Sequence, residues 1–224
     1  MAGTIILNLH GLGDPAAAPR ALEPGEAAYW VPASLLEEAA ARAADAPPGR
    51  IAFTFDDGNI SDLSIGAPIL SARGLTARIF PLAGRLGRPG SLGAVELREL
   101  LAMGFSIGSH GHGHVDWRGL DEAGRARELA QAREAIAEAA GAPVSEAAIP
   151  FGLYDRRVLA ALRAGGWGRV FTSDGGEAGA GWIAPRTSLR AGMTGADLDR
   201  LIVGRESPLR RLRRRAAMLK KRLL

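Results

Sequence analysis

Short apolar runs of strand length alternate with longer helical runs along most of the chain, and this alternation constrains the fold more than any other feature. Strands are expected at 4–9, 51–57, 76–80, 105–107, 147–149 and 169–172. Two more, 182–184 and 187–189, flank Pro185-Arg186. Helices are expected from Ser34 to about Asp45, at 61–72, about 93–103, 121–140, 156–164 and 194–203, with Ser34 and Glu37 at capping-box spacing. No internal repeat interrupts the series. Strands alternating with helices imply an α/β fold with a parallel sheet, open or closed into a barrel.

The residues that are candidates to carry chemistry sit at one place in this pattern. His10, Asp56 and Asp57, His110, Pro150-Phe151-Gly152 and Asp174 each lie at or just past the C-terminal end of an apolar strand. In α/β sheets and barrels that edge is where ligands bind. The run Ile51-Ala52-Phe53-Thr54-Phe55 ends in Asp56-Asp57-Gly58, and a regular strand would send the two carboxylates to opposite faces. Gly58 can take backbone angles closed to other residues, which would let the chain turn and bring both acids to one rim. Two carboxylates that close resist ionising together unless a cation lies beside them.

Three of the four histidines fall in Ser109-His110-Gly111-His112-Gly113-His114. Asp57, His110 and His114 would supply one carboxylate oxygen and two imidazole nitrogens, a set that suits zinc and its first-row neighbours. The i, i+4 spacing would align both histidines on a helix, but Gly108, Gly111 and Gly113 favour a tight loop around an ion. A rival pairing of His110 with His112 remains open at this level.

Composition excludes some chemistry. There is no cysteine, hence no disulfide and no thiolate catalysis. The start of the chain shows neither a basic leader nor a long apolar core, and no run reaches bilayer length, so the cytoplasm is the expected compartment. The net charge of +4 hides an asymmetry. Eight of the 28 Lys/Arg and none of the 24 Asp/Glu lie between Leu209 and Leu224, which leaves 20 basic against 24 acidic residues elsewhere. A body of that sign gives no general electrostatic reason to bind nucleic acid. One globular domain over 1–204 and a basic amphipathic helix over 205–224 are expected. Ser207 would cap the helix and Pro208 would fit its first turn. Residues 207–224, with Leu209, Leu212, Ala216, Leu219 and Leu223 at helical spacing among the basic residues, suit peripheral contact with the inner face of an anionic membrane.

Thr54-Phe55-Asp56-Asp57-Gly58 followed by His110-x-x-x-His114 resembles the polysaccharide deacetylase family, the NodB-homology or carbohydrate esterase family 4 domain, and Pro150-Phe151-Gly152 resembles its third motif. The resemblance covers about 7–201. It implies a distorted (β/α) barrel and metal-dependent removal of an N-acyl group, usually acetyl, from an amino sugar of a glycan or glycolipid. It also implies Asp56 as general base, Asp57, His110 and His114 as ligands of a divalent metal (zinc first, then nickel, cobalt or manganese), and Pro150, Phe151 and Gly152 as walls of the sugar groove. Asp174 and Arg186 complete the candidate substrate-side residues. Two departures stand out. Ala148 replaces the arginine that opens the third motif and braces the catalytic aspartate, with Arg186 as the candidate substitute. No histidine follows His114, so the family's late histidine is missing.

The strand 5–9 with His10 resembles the strand and histidine that close this family's barrel, moved to the front of the chain as in a permuted variant. His10 is therefore the candidate general acid for the departing amine, a task for which imidazole is the commonest side chain. His112 is a weaker candidate. An oxyanion would be met by a backbone N–H near Phe151 or Gly152. Competing readings are a related amidase, such as a deformylase of a lipid-linked amino sugar or a hydrolase of a small cyclic amide, and a sugar-binding pseudoenzyme.

Overall fold

The computed structural model describes residues 3–202 and 208–223. In chain order the strands are β1 (Thr4–Leu9), β2 (Gly11–Leu12), β3 (Trp30–Val31), β4 (Ile51–Asp57), β5 (Ala77–Pro81), β6 (Ser106–Ile107), β7 (Glu146–Ala148), β8 (Arg169–Thr172), β9 (Glu177–Ala178), β10 (Ile183–Pro185) and β11 (Thr187–Ser188). The α-helices are α1 (Ala33–Asp45), α2 (Ala67–Ser71), α3 (Ala94–Ala102), α4 (Glu122–Arg125), α5 (Ala132–Ala140), α6 (Arg156–Ala164), α7 (Gly195–Ile202) and α8 (Pro208–Leu223).

One parallel sheet runs β11-β1-β4-β5-β6 and a second runs β10-β8-β7. They meet twice. Beyond β6, Ser109 pairs with Ala147 in a parallel bridge, and Arg186 alone separates β10 from β11. Segment 183–188 therefore pairs with β8 along one half and with β1 along the other. Strand order goes round in a ring, a distorted (β/α) barrel in which β1 lies between β4 and the last strand. β9 runs antiparallel against the start of β1.

Strand alternation divides the apolar residues between two cores. Leu7, Leu9, Phe53, Phe55 and Ile79 face outward and pack under Leu35, Leu36 and Ala39 of α1, Leu97 and Leu100 of α3, Ile136 of α5, and Val158 and Leu162 of α6. Ile6, Phe80, Ala148, Phe171, Ala178 and Ala184 form a separate buried cluster. It fills the interior, with small residues facing two phenylalanines whose rings lie 5.1 Å apart.

Two details differ from the sequence expectation, and a third falls on residues that are not described. α1 starts at Ala33 after Pro32, which makes no side-chain cap, so Ser34 falls inside the first turn and its capping box with Glu37 does not form. The expected helices over 61–72 and 121–140 each contain a π-type turn, at Asp62–Gly66 and Ala126–Gln131. Val203, the expected end of the last core helix, and Ser207, the expected cap of the tail helix, lie outside the described residues.

Candidate active site

Inward alternation along β1 and β4 presents Asn8, Thr54 and Asp56 to the barrel interior at its C-terminal end, with Asn8 and Thr54 in register. Asp57 should face the helices, and a backbone reversal prevents it. Asp57 has φ 74° and Gly58 has φ 69°. A Cβ on Gly58 would lie 2.7 Å from the Pro81 Cβ and 2.9 Å from its Cα, so only glycine fits there. Among the described residues the non-glycine positions with positive φ are Asp57, His114 and Phe151, and all three line one cleft of about 510 Å³. Strained backbone gathered in one pocket is a signature of a working site.

Asp57 Oδ1 lies 3.7 Å from His110 Nε2 and 3.7 Å from His114 Nε2, and one ligand atom from each of the three residues falls within 4.8 Å of the others. The ligand atoms converge because the histidine segment is a loop, as its glycines suggest. Glu128, from the π turn ahead of α5, folds the loop by accepting the N–H groups of His112 (2.7 Å) and Gly113 (3.1 Å). Each imidazole is oriented through its other nitrogen. His110 Nδ1 lies 2.9 Å from the Ala148 carbonyl oxygen and His114 Nδ1 lies 2.9 Å from Glu23 Oε2. A proton held on each Nδ1 leaves both Nε2 lone pairs directed at Asp57. Burial lowers the His110 pKa against the pull of Asp56 and Asp57, which favours the neutral, ligating form. Asp57 Oδ1 is buried without a hydrogen-bond partner. A lone buried carboxylate oxygen facing two imidazole Nε2 atoms is costly alone and is satisfied by a cation, so the set is compatible with a divalent metal. His112 points elsewhere, into a smaller cleft where its Nδ1 lies 3.3 Å from Arg127, so the rival pairing with His110 does not form.

Asp56 sits beside this cluster in a different environment. Arg186 is fully buried and grips it with both terminal nitrogens, Nη1 to Oδ1 at 2.7 Å and Nη2 to Oδ2 at 2.8 Å. Nη1 also donates to Asn8 Oδ1 at 2.8 Å and Thr54 Oγ1 at 3.1 Å, and Asn8 Nδ2 donates to Asp56 Oδ2 at 2.9 Å. Burial alone would raise the Asp56 pKa, but the Arg186 charge, with His110 and the hydrogen bonds, holds it well below the usual carboxylate range. Arg186, the candidate substitute for the arginine absent at Ala148 and also grouped with the substrate-side residues, lies as a buried brace of Asp56, reaching the aspartate from the far side of Phe171 relative to Ala148. His10 lines the cleft with Nε2 4.0 Å from Asp56 Oδ2, its ring 4.8 Å from that of Tyr29.

The third-motif segment Pro150-Phe151-Gly152 is a 3₁₀ turn with Phe151 half exposed, its ring 4.3 Å from that of His114. Gly152 N–H already donates to Ile149 O, which removes it as an oxyanion donor. Asp174 lines the same cleft and accepts from Tyr154 Oη (2.9 Å), Thr172 Oγ1 (2.8 Å) and Lys221 Nζ (2.6 Å).

Several contributors escaped the sequence reading. Glu23 and Tyr29 come from a proline-bearing loop without periodicity, and nothing local marks them. Glu128 hides within a helical Ala/Arg/Glu pattern. Asn8 carried a signal: an amide in the middle of an apolar strand needs a buried polar partner.

The family model for polysaccharide deacetylase matches residues 43–168, more than half of the chain. That span contains Asp56, Asp57, His110, His114 and Pro150-Phe151-Gly152, but neither His10 nor Arg186. The YxkH protein of Bacillus subtilis (strain 168), named as a candidate polysaccharide deacetylase, is 26% identical over 128 residues, 57% of this chain and 46% of YxkH. The match therefore spans about half the length of that curated relative. Among solved structures, the deacetylase PplD of Streptococcus pyogenes, in complex with acetate, superposes with a TM-score of 0.75 at 19% identity, covering 89% of this chain and 98% of PplD. BC0361, a polysaccharide deacetylase from Bacillus cereus, gives 0.75 at 18% identity, covering 89% of this chain and 69% of its own. Both likenesses show the shared fold. The chain belongs to the polysaccharide deacetylase family.

Proposed function

We propose that the chain is a divalent-metal-dependent hydrolase that removes an N-acyl group, acetyl first among candidates, from an amino sugar. The observation that carries this reading is the convergence of Asp57, His110 and His114 around a partnerless buried carboxylate oxygen, with the braced Asp56 beside them. When bound there, a divalent ion such as zinc supplies Lewis acidity, making water a nucleophile near neutral pH and polarising the acyl carbonyl. Asp56 takes the proton of the attacking water. Arg186 and Asn8 hold its carboxylate in the ionised form and fix its direction. Phe151 offers an apolar face for a sugar ring, and its N–H remains the candidate donor to the developing oxyanion once Gly152 is excluded. His10, on the opposite side of Asp56 from the motif histidines in sequence but at the same cleft, delivers a proton to the departing nitrogen, without which an amine leaves poorly.

Metal analysis and release of acetate and formate from acylated amino sugars, on wild type and single variants, test the reading. Asp57→Ala, His110→Ala and His114→Ala should each lose metal and turnover, and Asp56→Asn should lose turnover yet retain metal. Loss of metal in His112→Ala with retention in His114→Ala would overturn the ligand set, and release of formate alone would move the activity to a deformylase.

A further inference from the structure

α8 is an amphipathic helix mounted the wrong way round for a helix that belongs only to a globular body. Leu209, Leu212, Ala216, Leu219 and Leu223 recur at helical spacing and all are exposed, the four leucines by more than half. The half-buried positions described in the same stretch are Arg214, Met218 and Lys221. At 3.6 residues per turn the two sets lie on opposite sides of the helix. The polar side grips the barrel: Arg214 Nη1 donates to Gly175 O at 3.1 Å, and Lys221 Nζ donates to Asp174 Oδ1 at 2.6 Å and Gly152 O at 3.0 Å. A Cβ on Gly176 would strike the Arg214 guanidinium at 2.3 Å, so the contact also uses a glycine. A helix that only stabilised the fold would turn its leucines inward.

We infer that α8 docks the protein on an anionic lipid bilayer, with the leucine face entering the headgroup–acyl boundary and the flanking Lys/Arg meeting lipid phosphates. Charge complementarity selects this occupant. Eight Lys/Arg and no acid lie between Leu209 and Leu224, on a chain whose remainder carries an excess of acids. Each basic residue near such a surface strengthens attachment roughly fivefold. No helix among the described residues is long and apolar enough to cross a membrane, so the helix lies in the interface. Asp174 and Gly175, which α8 grips, also line the catalytic cleft. Docking therefore brings the cleft mouth to the headgroup layer. Resting on the deacetylase reading, this makes an amide-bearing amino sugar carried on a lipid the substrate class.

Co-sedimentation of the full chain with vesicles of phosphatidylcholine, with and without phosphatidylglycerol, tests the docking. Wild type should pellet with the anionic vesicles and stay in solution with the neutral ones. Leu212→Ser/Leu219→Ser, which keeps every charge, should lose about tenfold or more in vesicle affinity. Its helical circular dichroism and its turnover of a soluble substrate should be unchanged. Equal pelleting of variant and wild type would overturn the inference. So would equal binding to neutral and anionic vesicles, or a wild-type dimer in light scattering that the double substitution splits. The pelleting result does not depend on turnover, so failure of the catalytic reading would show separately, as absent hydrolysis by a protein that still binds vesicles.

Discussion

Arg186→Met removes a buried guanidinium while keeping length and apolar volume, and it strands the Asp56 carboxylate. In the native protein that carboxylate receives two hydrogen bonds from Arg186, at 2.7 and 2.8 Å, in a site where both side chains are at least 98% buried. Breaking such a pair from one side costs about 3–5 kcal/mol, because the remaining charge stays desolvated. At about 2–4 °C per kcal/mol for a chain of this size, Tm should fall by about 6–20 °C. The loss should depend on pH. With its pKa depressed in the fold, Asp56 contributes stability above its unfolded value of about 3.9, and that stability disappears as pH falls through the folded pKa. In the variant, burial meets only the weaker opposition of Asn8 and the neighbouring histidines and raises the folded pKa, so the same group destabilises increasingly as pH rises above about 3.9. Thermal unfolding of both proteins in EDTA should show the gap widening from pH 4 to pH 7. Asp56→Asn in the Arg186→Met background should return part of the loss, since it removes the stranded charge. A fall in Tm under about 2 °C, or strict additivity of the two substitutions, would refute the brace.

Glu23→Gln should weaken metal affinity about 10–100-fold by releasing His114 Nδ1 from its carboxylate, with little change in Tm; titration with zinc against a competing chelator measures it. His10→Ala should retain metal and fold, lose about 10²–10⁴-fold in amide turnover, and hydrolyse an activated aryl ester nearly as well as wild type, because a phenolate leaves without a proton. Equal losses on both substrates would show that His10 is not the acid.

The ligand-bearing motifs were legible because their signals are local. A strand ending in Asp-Asp-Gly and a Gly-spaced histidine run each announce a backbone reversal within a few residues, and both reversals form. Alternation along the chain likewise gave the order of the main strands and helices with bounds about one residue from those observed, though not the short strands β2, β3 and β9. A misjudged helix start had a local cause as well, since Pro32 takes the N-cap position and the helix begins at Ala33, before Ser34 can cap it.

What the chain could not display is which distant side chains share a charge or a proton. Arg186 entered the sequence analysis as a candidate brace only through the family resemblance, since it follows Asp56 by 130 positions and reaches it because ring closure sets the 183–188 segment between β8 and β1. Ala148 in the interior cluster leaves the aspartate without an arginine on that strand, and the guanidinium comes from beyond Phe171 instead. Glu23 meets His114 across 91 positions, from a loop with no pattern to read. The tail's amphipathic spacing was plain in the sequence. Only the tertiary structure decided which face turned outward, because a salt bridge from Lys221 and a hydrogen bond from Arg214 to the cleft rim hold its basic side and leave the leucines in solvent. Local propensity acts over a few residues and is written in order, whereas pairing of buried charges is settled by the closure of the barrel.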